Sequence, residues 1–332
     1  MVFEGESVLI SGGTGSVGKT LVRRLLDSTG TQGTPRKIVV LSRGEAEQYA
    51  MREYYQRKGT AVSKLDFVIG DVRDYSTLSA SLRDVDIVIH AAAMKQVPAC
   101  EYFPYEAVRT NVEGTENIIR AIQNQDYPVK TVLGISTDKA CKPTSCYGMT
   151  KAIQERQLAH ANMRHPSTRF IGVRYGNVLA STGSVIPLFK EQIEKGGPVT
   201  ATCEEMTRFF MSLDDAVDII FAAIKGALPG ETYIPRMPAL RISDLAKAMI
   251  GKKKTELKYT GIRPGEKMHE ILISADEIYR TSDRGKYYSI ASNLPEIQML
   301  PDELCLDKEY SSSDVVLPSN EVIGFLKKNS LL

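Results

Sequence analysis

Directly after a short β-branched run, SVLIS (7–11), the chain reads SGGTGSVGK and runs straight into VGKTLVRRLLDS, where apolar residues recur at helical spacing. A strand, a glycine turn and an immediate helix are the opening unit of a doubly wound α/β sheet. Gly12, Gly15 and Gly18 stand three apart in that turn. Without side chains there, backbone N–H groups at the helix N-terminus can approach a pyrophosphate. The loop residues Gly12, Thr14, Gly15, Ser16, Val17 and Gly18 are therefore expected to hold an anionic dinucleotide.

The same rhythm continues. Candidate strands KIVVLS (37–42), LDFVIGD (65–71), DIVIHA (86–91), VKTVLGIS (129–136) and RFIGVRY (169–175) alternate with helix-like segments EAEQYAMREYYQR, YSTLSASLRD, YEAVRTNVEGTENIIRAIQ and YGMTKAIQERQLAHANM. This predicts an α/β fold, a Rossmann-type doubly wound parallel sheet spanning residues 1–180. Beyond it the elements shorten and Gly and Pro increase, which predicts a smaller substrate-binding lobe over 181–300, of mixed α/β character and interleaved with the first. One helix there, SLDDAVDIIFAAIKGAL, opens on Ser212 as N-cap with acidic residues in its first turn. Residues 301–332 read as a largely irregular tail ending in a short helix.

With 42 basic against 40 acidic residues, no global field draws the chain to nucleic acid or an anionic membrane, so an anionic ligand must be held by local groups. Five cysteines without CxxC spacing argue against a disulfide framework and against a zinc site, and no metal is expected. The acidic start MVFEGES is unlike a signal peptide, and no apolar run is long enough to span a bilayer. The expectation is a cytoplasmic protein with no membrane partner.

The end of the second strand selects the nicotinamide cofactor, because a carboxylate there bonds a ribose 2′-hydroxyl and a cation accepts a 2′-phosphate. Ser42 and Arg43 occupy it, with no carboxylate before Glu45, which favours NADP over NAD. Asp71 and Val72 would flank the adenine, and the small side chains of Ala91, Ala92 and Ala93 would let a flat ring lie against the backbone.

Two ionisable pairs stand in STDKACKPTSCYGMTK (136–151). Tyr147 and Lys151 fall one helical turn apart, where an ammonium would lower the phenol's pKa and make it a base for a hydroxyl proton. Asp138 and Lys139 end the fifth strand, where ligands bind in open α/β sheets. A second acid/base pair suits several proton transfers: once a sugar hydroxyl is oxidised to a ketone, the neighbouring C–H is acidic and a β-hydroxyl can leave as water.

With SRGE, GDVRD, HAAAMKQVP, NVEGTENI, STDKA, YGMTK, VRYGNV, GSVIPLF, MTRF and IRPGEK, these motifs resemble the nucleotide-sugar 4,6-dehydratases of the extended short-chain dehydrogenase/reductase superfamily over residues 6–280. The likeness is greatest to the UDP-N-acetylglucosamine 4,6-dehydratase (inverting) type of the polysaccharide biosynthesis protein family. The resemblance implies a UDP-N-acetylglucosamine substrate, tightly bound NADP and a homo-oligomer. It makes Tyr147 the base at the C4 hydroxyl, Lys151 its partner on the nicotinamide ribose, Asp138 the acid at the C6 hydroxyl and Lys139 the group that removes the C5 proton, with inversion at C5 as the expected outcome. Thr137 would bond the sugar near C4; Lys95 would reach hexose or cofactor; Asn111 would join the cofactor site. In the second lobe Asn177, Val185, Arg208, Arg263 and Glu266 would grip nucleotide and diphosphate. Departures are Ser11 where many relatives have Thr, and the inserted TQGTPRK before the second strand. Three rival readings stay open: a C5-retaining dehydratase, a UDP-sugar C4 epimerase, and a non-catalytic NADP-sensing protein.

Overall fold

The computed structural model describes residues 1–27, 32–59, 62–181 and 183–332. The expected helix end at Ser28 and the first residue of TQGTPRK, Thr31, lie outside them. The first half of the chain runs β1 (Ser7–Ser11), α1 (Ser16–Leu26), β2 (Lys37–Ser42), α2 (Glu45–Arg57), β3 (Leu65–Ile69), α3 (Tyr75–Ser81), β4 (Ile87–His90), α4 (Val97–Tyr102), α5 (Pro104–Ala107), α6 (Gly114–Gln125), β5 (Thr131–Thr137), α7 (Cys146–Arg164) and β6 (Arg169–Tyr175). These strands match the sequence reading to within a few residues. The predicted helix over YEAVRTNVEGTENIIRAIQ differs, because Val108–Glu113 between α5 and α6 is a wider π-helical turn. Such an extra residue in a turn re-aims side chains, here Thr110 and Asn111.

The second half runs β7 (Asn177–Val178), α8 (Val185–Glu194), β8 (Val199–Ala201), β9 (Thr207–Met211), α9 (Leu213–Gly226), β10 (Thr232–Pro235), β11 (Ala239–Arg241), α10 (Ile242–Ile250), β12 (Leu257–Tyr259), β13 (Ile271–Ile273), β14 (Thr281–Arg284), β15 (Tyr287–Ile290), β16 (Tyr310–Ser311) and α11 (Ser319–Lys328). Ser212 caps α9 as the sequence indicates, and Asp215 completes a reciprocal capping box. Among the described residues, nine strands form one sheet in the order β14-β15-β10-β6-β5-β4-β1-β2-β3. The run from β3 to β10 is parallel; β15 and β14 close the edge antiparallel. Strand order reverses beside β1, between β2 and β4, which opens the ligand crevice of this topology at the strands' C-terminal ends.

Alternation of side chains explains why both faces are covered. On β1, Val8 and Ile10 enter one core and Leu9 the other; on β2, Ile38 and Val40 oppose Val39 and Leu41 in the same way. A third core, with Phe189, Val199, Leu240, Leu245, Val322 and Leu326, belongs to the second lobe. Helix α9 and strands β10, β14 and β15 lie after residue 180 yet join the large sheet, so the chain crosses between the two bodies more than once. Residues 301–332, expected to be largely irregular, are tied in: β16 pairs with β13, Tyr310 Oη donates to the Met237 carbonyl, and the expected terminal helix packs on α10 through buried Val322 and Leu326. Burying those side chains supplies the order that composition does not predict. Among the described residues no helix is long and apolar enough to cross a membrane.

Candidate active site

One cleft of about 1380 Å³ lies along the C-terminal ends of β1, β2, β4, β5 and β6 and is closed on its far side by the second lobe. Gly12, Thr14, Gly15, Ser16, Val17 and Gly18 line it. The glycines serve different needs. Gly12 has φ +69°, and a Cβ there would meet the Ala92 nitrogen at 2.8 Å; a Cβ on Gly18 would strike the Gly12 carbonyl at 2.6 Å. These two let loop, helix and β4 touch. A Cβ at Gly15, the residue preceding α1, would meet only the Gly12 oxygen, at 3.2 Å. Its missing side chain leaves room beside the helix N-terminus, a cradle that fits a pyrophosphate.

Ser42, Arg43, Asp71, Val72, Ala91, Ala92, Ala93 and Lys95 continue the wall. Arg43 is exposed and 3.7 Å from Asp71, whose carboxylate is mainly held by Arg73 at 2.6 and 2.8 Å. Glu47, in the first turn of α2, also lines the cleft, a carboxylate that a reading stopped at Glu45 leaves out. Burial lowers the pKa of Lys95. Asn111 is not on the wall: its amide accepts from Met94 N at 2.8 Å and donates to Met94 O and Thr150 Oγ1, fixing the loop that carries Ala93 and Lys95.

The stretch 136–151 folds as β5, a tight turn and the start of α7. Ser145 caps α7 by accepting from Gly148 N at 3.2 Å. A Cβ on Gly148 would collide with the Lys139 carbonyl, so the bare glycine lets the helix lie on the turn and brings Tyr147 to Lys139. Lys151 is buried and donates to the Ile135 carbonyl at 2.7 Å and to Gln154 at 2.5 Å. Burial draws its pKa down to about 7, against an upward pull from Glu155. Tyr147 moves opposite to expectation. Burial pushes its phenol up to about 12, and the cation pulling it back is Lys139, helped by a hydrogen bond with Thr137.

Beneath the wall Asp138 is fully buried. Its Oδ1 accepts from Thr137 Oγ1 at 3.0 Å and from Lys139 Nζ at 3.0 Å, while Oδ2 has no hydrogen-bond partner among the described residues. Burial raises the Asp138 pKa; Lys139 opposes this and Glu270 adds to it. Burial works against the Lys139 charge, yet Asp138 and Glu270 outweigh it and hold the amine as a firm ammonium. Thr137 lies between the two devices: its hydroxyl lowers the pKa of the Tyr147 phenol and donates to Asp138.

Asn177, Val185, Arg208, Arg263 and Glu266 all face the same cleft from the second lobe. Arg263 is exposed; Arg208 is buried and spends its guanidinium on the Thr207, Lys267 and Met268 carbonyls. Glu270 was not anticipated. It is 2 % exposed, lines the cleft and lies 3.3 Å from Lys139 and 3.8 Å from Arg208. The only trace of it in the sequence is its place four residues past Glu266 in GEKMHE.

The model of the polysaccharide biosynthesis protein family matches residues 8–292. A protein of Campylobacter jejuni subsp. jejuni serotype O:23/36 named UDP-N-acetylglucosamine 4,6-dehydratase (inverting) is 41% identical over 307 residues, 91% of this chain and 86% of that one. A protein of Rickettsia conorii named UDP-glucose 4-epimerase is 42% identical over 293 residues, 87% of this chain and 84% of that one. Among solved structures, the X-ray structure of Pen from Bacillus thuringiensis superposes with TM-score 0.90 at 35% identity, covering 100% of both chains.

Proposed function

The chain belongs to the polysaccharide biosynthesis protein family, and from that premise we propose that it is a UDP-N-acetylglucosamine 4,6-dehydratase that inverts C5. The observation that carries this reading is the junction of two acid/base devices at one cleft: Tyr147 with Lys151 on its wall, and Lys139 beside them, clamped between Glu270 and the Asp138 carboxylate buried just beneath. The glycine cradle and the β4 alanines fit a dinucleotide, and exposed Arg43 favours a 2′-phosphate, hence NADP before NAD. Bound there, the nicotinamide supplies the acceptor for the C4 hydride and its return to C6.

The protein's own groups handle protons. Tyr147 accepts the C4 hydroxyl proton as a phenolate, after its own phenol proton, held up by burial, has left to solvent. Lys139 rests as an ammonium, so it must give up a proton before taking one; Asp138 Oδ1, at 3.0 Å, is the receiver. That transfer makes Asp138 an acid and Lys139 a free amine. Lys139 then removes the C5 proton, the C6–O bond breaks, and the oxygen leaves as water with the Asp138 proton. Lys139 returns a proton to C5. Arg208, Arg263 and Lys95 surround the cleft with the positive charge that a diphosphate needs.

The test is purified protein with UDP-N-acetylglucosamine in deuterated water, followed by NMR. The expected product is a 4-keto-6-deoxy sugar with deuterium at C5 and inverted configuration there. A retained C5 configuration removes only the inversion, whereas an intact 6-hydroxymethyl group removes the dehydratase. Relatives named epimerases favour a C4 epimerase as the second reading. Lys139→Ala separates them, since an epimerase has no elimination step to lose. The reading also expects a homo-oligomer, which light scattering checks.

A further inference from the structure

Glu270 reaches the cleft floor from the second lobe, while Asp138 and Lys139 come from the end of β5. Lys139 Nζ lies 3.0 Å from Asp138 Oδ1 and 3.3 Å from Glu270 Oε1, so one ammonium is clamped between carboxylates of both bodies. The Glu270 backbone is pinned as well. Its N–H donates to Ser312 Oγ at 2.9 Å, its carbonyl accepts from Ser312 N at 2.8 Å, and Ser312 Oγ bonds Thr207 Oγ1 at 2.6 Å. The charged groups facing it are Asp138 and Lys139 from the β5 end, Arg208 from β9 at 3.8 Å, and Lys267 from its own segment at 3.8 Å, whose amine also donates to the Cys141 carbonyl at 2.6 Å. Thr207 Oγ1 also bonds His269 Nδ1 at 2.8 Å, so that ring reaches Glu270 only through Thr207 and Ser312. Its Oε2 makes no hydrogen bond among the described residues. A carboxylate buried this way is retained at a cost, which its cations offset only while they stay in position.

Resting on the dehydratase reading, we propose that Glu270 is a positioning residue for the elimination half of the reaction, its carboxylate fixing Lys139 Nζ against Asp138 across the two lobes. The last stretch of chain takes part, because Ser312 holds Glu270 in register. Glu270 acts through Lys139 and leaves hydride removal at C4 to Tyr147 and Lys151. Its negative charge also raises the proton affinity of both Asp138 and Lys139. Neutralising it therefore moves the pH dependence of elimination toward acid, in addition to slowing the step.

The test uses the full chain with NADP and UDP-N-acetylglucosamine in deuterated water, comparing wild type, Glu270→Gln and Glu270→Asp. Nicotinamide reduction is followed by absorbance; 6-deoxy product and C5 deuterium by NMR, each across pH. The expected result for Glu270→Gln is oxidation and KM near wild type, elimination slowed about 100-fold, and its pH profile displaced toward acid. Glu270→Asp, which keeps the charge, recovers part of the elimination rate. Glu270→Gln eliminating like wild type with an unmoved profile overturns the role, as does equal loss of oxidation and elimination in both variants, the mark of a loosened fold. A wild type that yields no 6-deoxy product defeats the dehydratase reading and this inference with it. A wild type that dehydrates beside an equally active Glu270→Gln defeats the inference alone.

Discussion

Lys151 sits one turn below Tyr147 with its Nζ on the Ile135 carbonyl, and burial has drawn its pKa to about 7. An anionic dinucleotide prefers the ammonium. Its binding constant should be flat below about pH 7 and fall by up to about tenfold per pH unit above it; Lys151→Met flattens the curve, as read by fluorescence titration. Arg43, exposed at the mouth, is expected to discriminate between cofactors. Arg43→Ala should cost NADP about 2 kcal/mol of binding, the worth of a charge-assisted hydrogen bond, and leave NAD nearly unchanged by calorimetry. Tyr147 and Lys151 were legible because their relation is local, four residues on one helix face. Glu270 was not, because its partners Lys139, Arg208 and Ser312 come from three distant parts of the chain, and a single glutamate has no period. The lowered Tyr147 pKa expected from spacing failed for a related reason: burial of the phenol is a tertiary quantity.

Among the elements, β6 and the turn following β13 are joined by buried charge. Arg174 bonds Glu155 at 2.7 Å and Glu277 at 2.8 Å, and Arg280 adds a contact to Glu277 at 3.2 Å. Burial pushes the Glu277 carboxyl up, but Arg174 prevails and holds it at about 2 against an ordinary 4.5. Because the folded value lies below the unfolded one, this contribution is whole above pH 4.5 and is lost as the pH falls toward 2. Glu277→Gln should therefore cost about 3 kcal/mol at neutral pH and flatten acid denaturation in that window, measured by urea melts over a pH series. The six strands of the first half were legible because short β-branched runs alternating with helical segments mark them, whereas β10, β14 and β15 of the same sheet were not expected from the sequence. The π-helical turn and the two-residue β16 were not, since neither is long enough to impose a period.

For the molecule as a whole, chain crossings and the C-terminal stretch bind the lobes into one body around the cleft. Leu326, wholly buried in the second lobe's core, lies far along the sequence from any reacting group. Leu326→Ala should lower stability by about 3 kcal/mol, with calorimetry showing one transition at lower temperature; a separate early transition for the second lobe would contradict the single body. The shared cleft also bears on the fate of the ketone that the proposed reaction forms. The bare Gly148 lets the first turn of α7 lie on the Lys139 carbonyl, so Tyr147 and Lys151, proposed to make a ketone, and Asp138 and Lys139, proposed to consume it, stand on one continuous stretch of chain. The intermediate has nowhere to travel between its birth and its use. Escape into solution then competes with a step already in place, and a trap for free ketosugar added during turnover should capture almost none.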